Sequence, residues 1–375
     1  MLPNKTERIG MTKKRIVVLM GGETHEREIS LETGRNVCYK LLPSKYDVVP
    51  VFVREDMELF KMTTRLLVQN STKEIADMVT EDLKIKWAQL PEICDFVFIA
   101  LHGGKGEGGA VQGALEMLGL PYNGSGILAS ALCMDKYKTN SFLSEKGFST
   151  PKEYLLSKKE WETNKKVDGF SFPLIVKPHD DGCSMFVERV NNQDELVIAV
   201  EKIFSKNKKH ILIEEFLTGM ELTCGVYGNE EIIAMPPSQA VSQGEILSIE
   251  EKFLPGAGEN QTPAPLSEDI LNFVKEEMKL AYKAVGCKGY VRIDCFYQTL
   301  EQSSTGEHRV VFLEFNSLPG LTPATCIFHQ AAELGIKTTE FIDKIVELGF
   351  ENHADATKSE MVNVSVGEKL KEAVK

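Results

Sequence analysis

The sequence contains no apolar run near the roughly 20 residues that a membrane-spanning helix needs, no CxxC pair and no excess of basic residues. Each absence removes a class of protein. The missing span argues against a membrane protein. The eight cysteines (Cys38, Cys94, Cys133, Cys183, Cys224, Cys287, Cys295 and Cys326) are scattered singly, as expected of reduced thiols packed in the core of a cytoplasmic protein. With 43 Lys and Arg against 55 Asp and Glu, the net charge of -12 argues against nucleic-acid binding through a broad basic surface, while a local basic pocket for a nucleotide stays open. The first residues, MLPNKTERIGMTKK, carry charge but no apolar h-region, so 1–14 reads as a disordered lead, with Met11 as an alternative start and no secretory signal. The P-loop pattern GxxxxGK[ST] occurs nowhere, and no solenoid-type repeat is visible.

What is present is an ordinary globular composition: 375 residues, 42% hydrophobic, enough for two or three domains. Arg15 to Met20 (RIVVLM) reads as a buried strand and Ile29 to Leu42 as a helix. Asp47 to Val53 and Cys94 to Leu101 read as further strands, with an amphipathic helix from Lys73 to Leu90 between them. This alternation predicts an α/β fold with a parallel sheet at the N-terminus. Between the first strand and helix lies Glu23 to Glu28. Glu26 there either complements the helix dipole or recognises a substrate ammonium.

The loop after Leu101, HGGKGEGG, places Gly104, Gly106 and Gly109 in a G-x-G-x-x-G frame between strand and helix, so a dinucleotide fold has to be weighed. The second strand ending in an acid that should follow is missing. His102, at the carboxyl end of a strand, stands where open α/β sheets bind ligands.

Lys136 falls in the first turn of a helix expected over Asp135 to Lys146, where an anionic partner would offset its conflict with the dipole. A second lysine, Lys177, ends the strand FPLIVK before the loop PHDDGCS, which gives a phosphate both an ammonium and backbone N–H groups. The strand His210 to Phe216 ends in Glu214 and Glu215, with Glu221 soon after; these acids suit an adenine amino group and a ribose hydroxyl, or are solvated edge charges. The stretch from Glu250 to Pro265 reads as a functional lid. Leu266 to Gly286 reads as a helix, and the residues from Glu351 onward as a frayed polar tail.

The densest chemistry lies in two strands, Gly289 to Tyr297 and Arg309 to Asn316. Alternation puts Arg292 and Asp294 on one face of the first, and Phe312, Glu314 and Asn316 on one face of the second. If the two pair, Asp294, Glu314 and Asn316 form a patch of hard oxygen donors beside an arginine. Such a patch suits Mg²⁺ and a transition state that gathers negative charge. Half-buried strands with a solvated polar face are the plainer alternative.

Together these pieces resemble an ATP-grasp enzyme, and within that group the D-alanine-D-alanine ligases, over about Arg15 to Phe350. The resemblance rests on GGETHEREIS (21 to 30), FIALHGGKGEGGAVQGALEMLGLPYNGSGILASALCMDK (98 to 136), LIVKP (174 to 178), GCKGYVRID (286 to 294) and LEFNSLPGLT (313 to 322). It implies three domains: 15–130 for substrate, 131–217 as a small ATP-grasp subdomain and 218–350 as the catalytic subdomain, with a polar tail at 351–375. It also implies a cytoplasmic homodimer acting on amino acids in cell-wall synthesis, without nucleic-acid or membrane partners. ATP would be held by Lys136, Lys177, Glu214, Glu215, Phe216, Leu217 and Glu221. Two Mg²⁺ ions, or Mn²⁺ in their place, would sit on Asp294, Glu314 and Asn316. Arg292 would stabilise a tetrahedral oxyanion, Glu26 would hold the first ammonium, and His102 would orient an acyl phosphate.

Departures from the family pattern cluster at the substrate positions. The phosphate loop Gly-Ser-Ser-x-Gly is Gly182-Cys183-Ser184-Met185-Phe186 here, and a tyrosine of the family's catalytic network is Phe253, next to Lys252. Thr325-Cys326 replaces a Ser-Leu pair at the second substrate, and Glu215 replaces a basic residue. The pattern suggests an active ligase that joins D-alanine to a second D-amino acid, or to a hydroxy acid such as D-lactate, with the second substrate open to change from D-alanine. A ligase for a different amino-acid pair, a nucleotide-binding pseudoenzyme and an NAD-dependent oxidoreductase remain as rival readings.

Overall fold

The computed structural model describes residues 12–179, 187–241 and 259–373. Its first unit runs through β1 (Lys14–Gly21), α1 (Arg27–Lys40), β2 (Tyr46–Val53), β3 (Leu59–Lys61), α2 (Thr64–Leu67), α3 (Thr72–Met78), β4 (Lys84–Ile85), α4 (Leu90–Ile93) and β5 (Phe96–Ile99). The sheet order is β4-β3-β2-β1-β5, with β1 parallel to both β2 and β5. Central β1 is covered on both faces, which is why its sequence is a continuous apolar run. Ser30 fixes α1 to this sheet: its Oγ accepts from the Gly21 N–H at 2.8 Å and donates to the Ala100 carbonyl at 2.7 Å.

The helix expected over Lys73 to Leu90 stops at Met78. Val79 and Thr80 take extended backbone, Glu81 to Leu83 make a single tight turn, and β4 then joins the sheet edge. Two β-branched residues in succession break a pattern that apolar spacing alone would have continued.

After β5 come α5 (Gly104–Glu107), α6 (Ala110–Met117), α7 (Ile127–Met134) and α8 (Lys136–Glu145). The glycine loop has a packing explanation. A Cβ on Gly106 would lie 2.4 Å from that of Leu101, so α5 can sit on the strand end only with glycine there. Helices rather than a strand ending in an acid follow directly; Asn123 lines up beside β5, its side chain accepting from the Ile99 N–H at 2.6 Å and donating to the Ile99 carbonyl at 3.1 Å. The dinucleotide reading of the three glycines is therefore set aside.

A second unit, β6 (Glu153–Ser157), α9 (Lys158–Thr163), β7 (Leu174–Pro178), β8 (Glu188–Val190), α10 (Gln193–Phe204) and β9 (His210–Glu215), forms an antiparallel sheet in the order β6-β9-β7-β8. Leu156, Leu174, Val176, Ile211 and Ile213 face α10 in its core. The period of two then puts Glu153, Lys177 and Glu214 on the other face.

The third unit contains β10 (Met220–Tyr227), β11 (Ile233–Ala234), β12 (Ser238–Val241), β13 (Glu259–Gln261), α11 (Glu268–Val285), β14 (Tyr290–Gln298) and β15 (Arg309–Asn316), with sheet order β13-β12-β10-β14-β15. Buried Val274, Met278, Ala281, Tyr282 and Val285 recur at helical spacing along α11 and seat it on this sheet. Cys133 of α7 and Leu143 of α8 enter the same core. Finally α12 (Cys326–Glu333) and α13 (Thr338–Ala373) return to the first unit, where Ile327, Phe328, Phe341, Ile342 and Ile345 join its core. The tail expected to fray from Glu351 continues as helix to Ala373. All seven cysteines among the described residues are free thiols, and only Cys38 is not fully buried.

Candidate active site

β14 and β15 pair antiparallel, with Arg292 opposite Asn316 and Asp294 opposite Glu314. Directly opposed residues share a face, so the four polar side chains form one patch, as their spacing implied. The expected companion Phe312 does not join them. A bulge after Asp294 pairs Cys295 with Phe312 and leaves Leu313 over, which reverses the alternation and sends Phe312 into the core beside Phe315. On the other side of β14, Thr223 of β10 stands opposite Asp294, and Glu221 lies two residues before it on the same face.

Asp294 is the hub. Arg292 donates to both its oxygens, Nε to Oδ1 and Nη2 to Oδ2, each at 3.0 Å. Thr223 Oγ1 donates to Oδ1 at 2.6 Å and Asn316 Nδ2 to Oδ2 at 3.3 Å. Four bonds thus converge on one carboxylate and fix its orientation. Burial works against the charge of Arg292, and Asp294 more than restores it, so the guanidinium stays protonated. Two carboxylates and an amide on one face are a hard-oxygen set of the kind that suits Mg²⁺.

Lys136 opens α8, where the Asp135 side chain caps the helix by accepting from the Lys138 N–H at 3.0 Å. Its ammonium meets Glu314 Oε2 at 3.1 Å. Burial alone would lower the Lys136 pKa; Glu314, with Glu214 and Glu26 beyond it, raises it instead. Lys177 Nζ contacts Glu214 Oε1 at 2.7 Å, with both side chains at least nine-tenths buried. Glu215 points elsewhere: its carboxylate accepts from the Lys152 N–H at 2.9 Å. The Arg189 guanidinium lies over the Phe216 ring, 4.4 Å from its centroid, and Leu217 is buried.

From the first unit, the loop ahead of α1 and the end of β5 bring Glu26 and His102 to a cavity that Glu107, Arg292, Glu314 and Asn316 also line. The His102 ring is buried and occupied at both nitrogens: Nδ1 lies 3.1 Å from the Leu318 carbonyl and Nε2 3.0 Å from Thr33 Oγ1. A carbonyl can only accept, so Nδ1 carries the proton and the Thr33 hydroxyl donates to Nε2. Burial lowers the His102 pKa and favours this neutral ring. His102 thus fastens the turn after β15 to the first sheet. At the start of α12, Thr325 is buried, and buried Cys326 lies within the field of Arg292 and Asp294; burial raises the Cys326 thiol pKa, with the Arg292 charge opposing. Cys183, Ser184, Lys252 and Phe253 lie outside the described residues.

Four participants escaped the sequence. Glu107, passed over inside the glycine loop, accepts from the N–H groups of Gly103 and Leu318, each at 3.0 Å, and burial raises its pKa. Thr223 shows only as the residue two after Glu221. Asn140 and Glu153 gave no local signal; they meet because β6 pairs with β9 and α8 packs against both units.

Comparison with known proteins follows the same outline. The D-ala D-ala ligase N-terminus family matches residues 15–125, and the D-ala D-ala ligase C-terminus family matches residues 142–347. The D-alanine-D-alanine ligase of Leptospira interrogans serogroup Icterohaemorrhagiae serovar Lai (strain 56601) is 32% identical over 356 residues, covering 89% of this chain and 98% of its own. Among solved structures, the VanG D-Ala:D-Ser ligase of Enterococcus faecalis superimposes with a TM-score of 0.75 at 28% identity, over 90% of this chain and 99% of that one. The D-alanine-D-alanine ligase of Bacillus anthracis complexed with ATP gives 0.70 at 28% identity, over 92% and 100%.

Proposed function

The chain belongs to the D-alanine-D-alanine ligase family of ATP-grasp enzymes and is an ATP-dependent ligase; from that premise we propose that it joins D-alanine to a second D-amino acid or D-hydroxy acid through an acyl phosphate. The observation that carries the reading is the meeting of Lys136 with Glu314 and of Arg292 with Asp294 on one polar face between the first and third units. Anion-binding cations and cation-binding acids stand side by side there, as a site for a metal-bound polyphosphate requires.

In this reading Lys136 and Lys177 bind ATP phosphates, and Glu214, Glu221, Phe216 and Leu217 border the adenosine. Asp294, Glu314 and Asn316 would hold Mg²⁺, which when bound neutralises charge shared between the β- and γ-phosphates. The carboxylate oxygen of the first amino acid attacks the γ-phosphorus and ADP leaves. The nucleophile of the second substrate, after losing a proton, attacks the acyl carbon and phosphate leaves. Glu26 pairs with the ammonium of the first substrate. Arg292, held by two bonds to Asp294, is already oriented when the tetrahedral oxyanion forms, so its stabilisation costs little reorganisation. His102 and Glu107 clamp the turn at Leu318, fixing the wall against which the acyl group lies.

The acceptor is the open variable, because Cys183 and Phe253 replace hydroxyl-bearing residues of the family pattern. Phosphate release measured with ATP, Mg²⁺ and D-alanine alone, and then with D-serine or D-lactate added, tests the reading. Turnover with D-alanine alone and a D-alanyl-D-alanine product assigns the homodipeptide; turnover only with a second compound identifies another acceptor. Absence of turnover in every mixture refutes the ligase assignment for these substrates. A cytoplasmic homodimer supplying a cell-wall precursor is the setting that the family implies.

A further inference from the structure

The face of the second sheet that carries Lys177 sets two acids side by side. Glu153 of β6 stands directly across from Glu214 of β9, and Lys177 of β7 reaches Glu214 Oε1 at 2.7 Å. Two carboxylates placed opposite each other in a sheet repel, and a proton retained on one of them relieves that repulsion. The remaining neighbour is Asn140 of α8, buried, whose Nδ2 donates to Glu153 Oε1 and to the Leu313 carbonyl, the latter at 3.3 Å. Turning the Asn140 amide over would offer the Glu153 proton its carbonyl oxygen, which is buried and without a hydrogen-bond partner among the described residues.

We propose that Glu153 is a positioning residue of the nucleotide site: as a neutral acid it donates a hydrogen bond within the Glu214–Asn140 cluster and leaves Lys177 facing one negative charge instead of two. This rests on the reading of Lys177 as an ATP phosphate ligand. A lysine balanced by a single carboxylate can turn toward an incoming phosphate, whereas one held between two carboxylates is neutralised before the nucleotide arrives. The added negative charge would also repel ATP directly. Through Asn140 the same cluster touches Leu313, the bulged residue immediately before Glu314. The state of Glu153 is therefore coupled to the hairpin that carries the proposed metal ligands.

Burial, then the charge of Glu214, pushes the Glu153 carboxyl up to about 9, with Asn140 and Lys177 opposing. The proton is thus present at neutral pH and leaves in the alkaline range. Two further cations stand near the pair: Arg189 of β8, on the same face across Ile175 from Glu214, and Lys136 of α8, which also feels the charge of Glu214. If ATP binds only the protonated form, its dissociation constant rises about tenfold for each pH unit above the Glu153 pKa.

The test is calorimetric titration of the full-length protein with ATP and Mg²⁺, without amino acids, from pH 7 to pH 10. Wild type is expected to weaken about tenfold at the alkaline end. Glu153→Gln keeps the hydrogen-bond donor and cannot ionise, so it should match wild type within about threefold at neutral pH and stay flat. Glu153→Leu, without a donor, should bind more weakly at every pH, and its thermal melt shows whether it is folded. Parallel pH curves for wild type and Glu153→Gln overturn the proposal. Lys177→Met separates this failure from failure of the premise: if it binds ATP like wild type, Lys177 is not a nucleotide ligand and the reading beneath falls as well.

Discussion

Replacing Arg292 by lysine preserves the charge and removes the fork. In the structure the guanidinium makes two bonds of 3.0 Å to Asp294. An ammonium on a flexible stem can occupy one of these positions but cannot span both while keeping a donor directed at substrate. Asp294 would retain Thr223 at 2.6 Å and Asn316 at 3.3 Å, so the acid is not orphaned. The ground-state loss is about one charge-assisted hydrogen bond, or roughly 1.5–3 kcal/mol. The larger loss should fall on the transition state. Removing a preorganised oxyanion donor typically costs about 3–4 kcal/mol, or on the order of a hundred- to a thousandfold in kcat. Arg292→Lys is therefore expected to lower kcat at least about a hundredfold, with KM for ATP changed by less than about threefold. Product formation under saturating ATP and amino acid gives kcat, and a thermal melt separates lost chemistry from lost fold. A folded Arg292→Lys enzyme with kcat within threefold of wild type would refute the oxyanion role. A change confined to KM for ATP would move Arg292 from the reaction centre to nucleotide binding.

Glu314→Ala should abolish Mg²⁺-dependent ATP turnover and weaken Mg²⁺ binding in the presence of nucleotide, and wild-type turnover in this variant would remove Glu314 from the metal site. Lys136→Met should raise the dissociation constant for ATP at least about tenfold, since a buried cation now paired with Glu314 is lost; unchanged affinity in direct titration contradicts that role. Glu153 also predicts how stability varies with pH. Its carboxyl is raised from 4.5 to about 9 by folding, so the folded chain holds a proton that the unfolded chain has released, and stability declines as pH rises through that window. The slope is at most about 1.4 kcal/mol per pH unit, and denaturant melts of Glu153→Gln should lack this component; equal slopes count against it. At Gly289 φ is +71° and a Cβ would lie 2.9 Å from the Gly124 nitrogen, where the third unit meets the first. Gly289→Ala should therefore cost about 2 kcal/mol or more, seen as a lowered melting temperature, and a melt equal to wild type would refute the close approach.

Much of the architecture was legible because it follows from local rules. Continuous apolar runs marked β1 and β5, helical spacing marked α11, and alternation placed Arg292, Asp294, Glu314 and Asn316 on shared faces before any pairing was known. The limits of that reasoning are equally local. Apolar spacing carried a helix from Lys73 to Leu90, although Val79 and Thr80 end it at Met78. Alternation also placed Phe312 beside Glu314, because nothing in VVFLEFN announces the bulge that turns Phe312 into the core.

The sequence by itself determined which residue types were present and, within each strand, which of them face the same way, because side-chain direction along a strand depends only on its period of two. That sufficed to propose phosphate, metal and oxyanion roles for individual residues. Only the tertiary structure decided which charges meet. The Lys136–Glu314 ion pair, the bonds that Thr223 and Asn316 give Asp294, the occupation of both His102 nitrogens and the Glu153–Glu214 pair each join separate segments of the chain. Electrostatic coupling depends on distance through space, and a separation of 61 residues between Glu153 and Glu214 (214 − 153) says nothing about that distance until β6 is paired with β9.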